Sequence, residues 1–125
     1  LARTMLAIRL VLTQGPPVLV FDEVDAGIGG AAANSMAASL ARLAKLHQIF
    51  VVTHLAQVAA VADQQVAVSK EVVTRSGSEV TIASASPVAG SHRVDEIARM
   101  LSGRPDSAAA RRHAKELLES SSITP

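Results

Sequence analysis

Two apolar runs in this chain each end in side chains able to do chemistry. The first is Val18-Leu19-Val20-Phe21, which stops at the adjacent carboxylates Asp22 and Glu23; the second is Ile49-Phe50-Val51-Val52, which stops at Thr53 and His54. In sites that hydrolyse nucleotides, an acid at a strand end helps hold Mg²⁺, an ion otherwise surrounded by phosphates and water. A second acid beside it can take a proton from an attacking water when its surroundings raise its pKa toward neutrality. Neighbours on an extended chain point to opposite sides, so Asp22 and Glu23 suit two roles better than one shared role. A histidine such as His54 can hydrogen-bond a terminal phosphate or a water in either charge state. The plainer reading is that the acid pair ends strand pairing or caps a helix, and that Thr53 or His54 caps the segment after it.

These residues act together only if the chain brings them to one edge. Runs of four apolar residues rich in β-branched and aromatic types are too short for helices and read as buried strands. Between them, Ala31 to Leu46 reads as an Ala-rich helix with Met36, Leu40 and Leu43 on its inner face. Strand, helix and strand with short links make a parallel βαβ unit, which delivers both strand ends to the same carboxyl edge, where α/β sheets bind ligands. Gly27-Ile28-Gly29-Gly30 lies between the acids and the helix. It is not a Walker A loop, because the Gly-Lys-Ser/Thr ending that reaches phosphates occurs nowhere in the 125 residues. The expected role of these glycines is to let the backbone pass close to a neighbour.

Ahead of the first strand, Leu1, Met5, Ile8 and Leu12 space one apolar helical face that ends near Thr13, broken by Gln14-Gly15-Pro16-Pro17. An opening at Leu1, inside a helical pattern with no capping residue before it, reads as a piece cut from a longer protein. After His54 a helix is expected from Leu55 to Ala62. A hairpin follows, pairing Gln65–Val73 with Val80–Ala85 around Arg75-Ser76-Gly77-Ser78 and leaving Lys70-Glu71 on an open face. Pro87 to Ser91 reads as a loop. Val94, Ile97, Ala98 and Leu101 form a helical stripe stopped by Gly103 and Pro105. Asp106 or Ser107 can cap a last helix with Ala110, Ala114, Leu117 and Leu118 inward and Arg111, Arg112 and Lys115 in water. His47 reads as ordinary surface, and Ser120–Pro125 as a frayed tail. The whole of 1–125 reads as a single domain.

Composition narrows the classes. With 49% hydrophobic and 18% charged residues the chain is no disordered polyelectrolyte, and a net charge of +1 gives no global field for nucleic acid or anionic membrane. The absence of cysteine removes disulfides, thiolate metal sites and a cysteine nucleophile, and suits a reducing cytoplasm. Phe21 and Phe50 are the only aromatics, too few for a base-stacking platform. No apolar run approaches the roughly 20 residues that span a bilayer.

The string Val18-Leu-Val-Phe-Asp-Glu-Val-Asp-Ala-Gly-Ile-Gly-Gly-Ala, with Val51-Val-Thr-His-Leu-Ala-Gln-Val-Ala-Ala and Arg99-Met-Leu-Ser-Gly103, resembles the carboxyl-terminal end of the RecN family of bacterial DNA repair proteins. That family belongs with the SMC and ABC-type ATPases. The resemblance covers essentially the whole chain, and it implies an α/β fold: the carboxyl-terminal lobe of a P-loop NTPase head, a mostly parallel sheet flanked by helices, with a terminal β-hairpin and two last helices. It implies ATP and Mg²⁺ as cofactors. By resemblance Asp22 is the Walker B acid supporting Mg²⁺, Glu23 the catalytic carboxylate, Asp25 part of the D-loop that reaches across a dimer of heads, and His54 the switch histidine near the γ-phosphate. Leu1 to Leu6 resembles the helix after the family's Leu-Ser-Gly-Gly-Glu signature. The signature itself, the Walker A loop and the coiled coil are not in this sequence, and Ala56 stands where relatives often carry proline.

The resemblance further implies an ATPase acting in recombinational repair of double-strand breaks, in the bacterial cytoplasm at the nucleoid. Its partners would be the amino-terminal half of the same head, a second head in an ATP-dependent dimer, and DNA through the full-length protein, with no membrane. This chain would supply the residues that activate water and Mg²⁺ and be inactive alone. Three other readings compete. One is a non-catalytic docking or regulatory lobe, another the head of an SMC-type chromosome scaffold. The third is a metal-dependent nuclease using Asp22 and Glu23, which no further acidic cluster supports.

Overall fold

A computed structural model describes residues 17–22, 27–75, 77–104 and 106–122. The helix expected over Leu1–Thr13 lies outside them, as do Glu23 and Asp25. The described elements run β1 (Val18–Asp22), α1 (Ala31–Leu43), β2 (Gln48–Val52), α2 (Ala56–Ala60), β3 (Gln65–Arg75), β4 (Ser78–Val88), α3 (Gly90–Ser102) and α4 (Ala108–Ser122).

The strand–helix–strand unit forms as the apolar runs require. β1 and β2 pair in parallel, Val18 opposite Gln48 through to Asp22 opposite Val52. Phe21, Ile49 and Val51 turn toward α1 and pack on the cluster of its buried Met36, Ala37 and Leu40. The expectation of strands buried on both sides is corrected here. Val20 is 69% exposed, Phe50 52% and Val52 59%, so among the described residues only one face of this sheet is covered. The expected mostly parallel sheet is likewise two parallel strands, and the longer pairing is antiparallel. β3 and β4 form a separate hairpin, paired from Gln65–Val88 to Arg75–Ser78. It outruns the expected strands because the ladder continues through Pro87, and the residues read as a loop are taken up by the strand end and the start of α3. Lys70 and Glu71 are both exposed: as neighbours they point to opposite faces, and both faces are open at that level.

Gly27, at φ 76°, and Gly30, at φ 57° and ψ −129°, take up backbone angles that side-chain-bearing residues avoid. A Cβ built on Gly27, Gly29 or Gly30 would meet nothing within 4 Å. Gly27 and Gly30 therefore serve the turn into α1, and the expected close approach to a neighbour is not the reason for them.

Two hydrophobic clusters result. Met36, Ala37 and Leu40 of α1 join Val58 and the inner face of β1–β2. Ala56, Ala59 and Ala60 join Ile97 and Ala98 of α3 with Ala110 and Ala114 of α4. Gly103, at φ 72°, ends α3 by donating its N–H to the Arg99 carbonyl, and Ser107 caps α4 by accepting from the Ala110 N–H. Arg111 is not simply in water, since it pairs with Asp95 of α3. His47 is half-buried at the turn after α1.

One-sided covering has a measurable consequence. Met36→Ala should lower the free energy of unfolding by about 2–5 kcal/mol in a chemical denaturation followed by far-ultraviolet circular dichroism. Phe50→Thr should change it by less than about 1 kcal/mol; an equal loss at both positions would mean that Phe50 is buried in solution.

Candidate functional site

Asp22 closes β1, in register with Val52, the last residue of β2. It shares the open face with Val18 and Val20 and is exposed. Thr53 and His54 follow β2 directly, so the parallel pairing brings Asp22 and the Thr53–His54 pair to the same carboxyl edge, as the two apolar runs predict. His54 is exposed at a bend ahead of α2. The structure does not extend this set: Glu23 and Asp25 lie outside the described residues. Among the described residues no three His, Asp or Glu side chains gather as a metal-holding group.

The Thr53 hydroxyl accepts a hydrogen bond from the Leu55 N–H at 3.0 Å. This is a Ser/Thr-type turn that ties the residues on either side of His54 to each other. It is not a helix cap: α2 follows Leu55 with no side-chain hydrogen bond at its start, so the capping alternative does not hold for Thr53. α2 begins at once after Leu55, and its five residues present Val58 to one cluster and three alanines to the other.

At the far end of α2 stands a residue that the sequence reading passed over. Arg93 of α3 directs Nη2 to the carbonyl oxygens of Ala59 at 3.1 Å, Ala60 at 3.3 Å and Ala62 at 2.6 Å. Its Nε is buried without a hydrogen-bond partner. Burial pulls its pKa down, with Asp63 acting in the opposite direction; a guanidinium remains protonated under such opposing effects. In sequence, Arg93 is one polar residue ahead of the Val94 stripe, and nothing local marks it as reaching carbonyls more than thirty residues earlier.

This arrangement can be set beside known proteins. No protein-family model matches the chain. The DNA repair protein RecN of Streptomyces coelicolor is 51% identical over 124 residues, covering 95% of this chain and 20% of that protein. Along nearly its whole length the chain is similar to RecN. RecN of Deinococcus radiodurans is 52% identical over 119 residues (94% of this chain), and RecN of Bacillus subtilis 36% over 121 residues (95% of this chain), each again over 20% of the relative. The chain thus spans about a fifth of the length of the RecN proteins it matches, and it corresponds to their carboxyl-terminal part.

The Thr53 turn makes its own prediction. Thr53→Ala should cost about 0.5–1.5 kcal/mol of stability, with hydrogen exchange rising first at Leu55 and through α2. Thr53→Ser, which keeps the acceptor, should stay within a few tenths of a kcal/mol of the parent.

Proposed function

We propose that this chain is the carboxyl-terminal lobe of an ABC/SMC-type ATPase head in a RecN-type protein acting in repair of DNA double-strand breaks. The observation that supports it most is that Asp22 and the segment leading to His54 leave the same carboxyl edge of a parallel strand pair, in a chain similar to RecN proteins along nearly its whole length. ATP and Mg²⁺ are the proposed cofactors. An exposed carboxylate at a strand end fits Mg²⁺, which keeps several waters and takes most of its other ligands from phosphates, so one protein acid is sufficient. Asp22 would hold it directly or through water; when bound, the ion neutralises charge on the phosphates.

The remaining roles belong to the chain's own side chains. Glu23 accepts a hydrogen bond from the attacking water and orients it. His54 donates a hydrogen bond toward the terminal phosphate. Asp25 would belong to the nucleotide site of a second head. Phosphate affinity in such heads comes largely from a loop of backbone N–H groups and its lysine, and the sequence holds no Gly-Lys-Ser/Thr to supply one. This lobe therefore completes its site with the amino-terminal half of the head. The open side of β1–β2 is consistent with such a partner, since near-continuous apolar parallel strands are usually covered on both faces. DNA is engaged through the full-length protein, in the bacterial cytoplasm at the nucleoid.

The test is Mg²⁺-dependent ATP hydrolysis by this chain alone and mixed with the separately produced remainder of a RecN head. Activity is expected only in the mixture, and Glu23→Gln should lower turnover by about two orders of magnitude or more while nucleotide binding persists. Normal turnover in Glu23→Gln would sink the base assignment. A mixture that associates without hydrolysing ATP would favour the docking-lobe reading.

A further inference from the structure

The geometry points to Arg93 as a positioning residue for His54, acting through the carboxyl end of α2. A helix of five residues is too short to persist by its own propensity, because nucleation costs more than so few hydrogen bonds return. Its last carbonyls also lack partners within the helix, although that of Ala59 accepts from the Ala62 N–H at 3.3 Å just beyond it. Those of Ala59 and Ala60, together with that of Ala62 just beyond, converge on one guanidinium nitrogen of α3. At the other end the Thr53 hydroxyl takes the Leu55 N–H. His54 stands between these two anchors. Its backbone is held from one side by β2 and from the other by a helix that stays formed because α3 grips its end. A cation at a helix carboxyl terminus also meets the negative end of the helix dipole. Asp63, four residues after Ala59 in sequence, offsets part of the cost of burying that cation.

An open pocket of about 380 Å³, lined in part by Ala60, Ala62, Asp63 and Arg93, lies over this contact. Removing the guanidinium would let water reach the three carbonyls, so the fold has a way to survive its loss while α2 frays. The consequence is local loosening from Ala62 back toward His54, with the α1 and α3 cores intact. The consequence for ATP hydrolysis rests on the role proposed for His54; the positional claim does not, and it is tested without nucleotide.

The experiment is nuclear magnetic resonance on this chain as wild type, Arg93→Lys and Arg93→Met, with His54→Gln to assign the imidazole signals. In Arg93→Met, amide protection at Val58, Ala59 and Ala60 should fall at least about tenfold more than at Met36, Leu40 and Ile97, and the His54 ring resonances should move. Arg93→Lys, which keeps a cation but not the planar fork, should recover part of both. Unchanged α2 protection with unmoved His54 signals would overturn the assignment. So would an equal fall in all three helices, which is general destabilisation. Should Arg93→Met not fold, the wild-type guanidinium decides. Hindered rotation and slow exchange of its Nη hydrogens are expected, whereas free averaging would overturn the clamp.

Discussion

The short helix Ala56–Ala60 joins the two hydrophobic clusters of this chain. Val58 belongs to the cluster of α1 and the parallel strands, and Ala56, Ala59 and Ala60 to the cluster of α3 and α4. Neither cluster is large, and neither contains enough bulky side chains to dominate the other: the largest fully buried ones are Met36, Leu43 and Ile97. A junction made mostly of alanine gains little from side-chain burial. What it permits is close approach, so helices on both sides can touch a single turn of backbone. That approach leaves the carbonyls at the end of the turn only partly open to solvent, where an acceptor left unpaired costs up to about 1–3 kcal/mol. The Arg93 guanidinium answers that cost directly.

The same junction ties fold to site. The parallel pairing fixes where β1 and β2 end, and that alone places Asp22 beside the exit of β2. It does not fix His54, which lies two residues past the ladder. The position of His54 depends on what happens next in the chain, namely the Thr53 turn and the start of α2. An edge of this kind has one member set by sheet hydrogen bonds and another by helix packing, so perturbations of the second core can reach the second member without disturbing the first.

Much of this was legible in the residues. Periodicity placed Met36, Leu40 and Leu43 on the inner face of α1, and Ile97, Ala98, Ala110 and Ala114 inside α3 and α4. These are features of one helix read against its own period. The failures share a different cause. The apolar content of Val18–Phe21 and Ile49–Val52 suggests strands covered on both sides, but covering is a property of what packs on a strand, and here one face is open. The glycines after Asp25 were assigned to close contact when their φ angles were the constraint, a distinction that composition cannot make. The expected hairpin stops at Ala85, whereas the strand continues to Val88 with Pro87 in register opposite Val66, on a strand paired along one edge only, where a missing N–H is tolerated. Arg93 was invisible because its partners are backbone atoms, which carry no sequence signal at all. Glu23 and Asp25 remain readings from the motif and its family.

Why the clamp should be an arginine follows from the geometry of the acceptors. Three carbonyls at the end of one helical turn, all reached by one nitrogen, present a concentrated negative potential. A neutral donor would meet them with half the hydrogen-bond strength or less. Lysine would meet them as a point charge whose strongly hydrated head resists desolvation at a half-buried position. The guanidinium is weakly hydrated and planar, and it can leave Nε unpartnered while Nη2 makes all the contacts. Burial works against its charge and Asp63 works for it. The balance has been struck where solvent is near enough, through the open pocket, to keep the cost of the charge low. A fully dry junction would favour an apolar cap and a longer helix. A fully wet one would need no cap. The observed residue suits the intermediate case, in which a turn of alanine must be held firmly by few atoms.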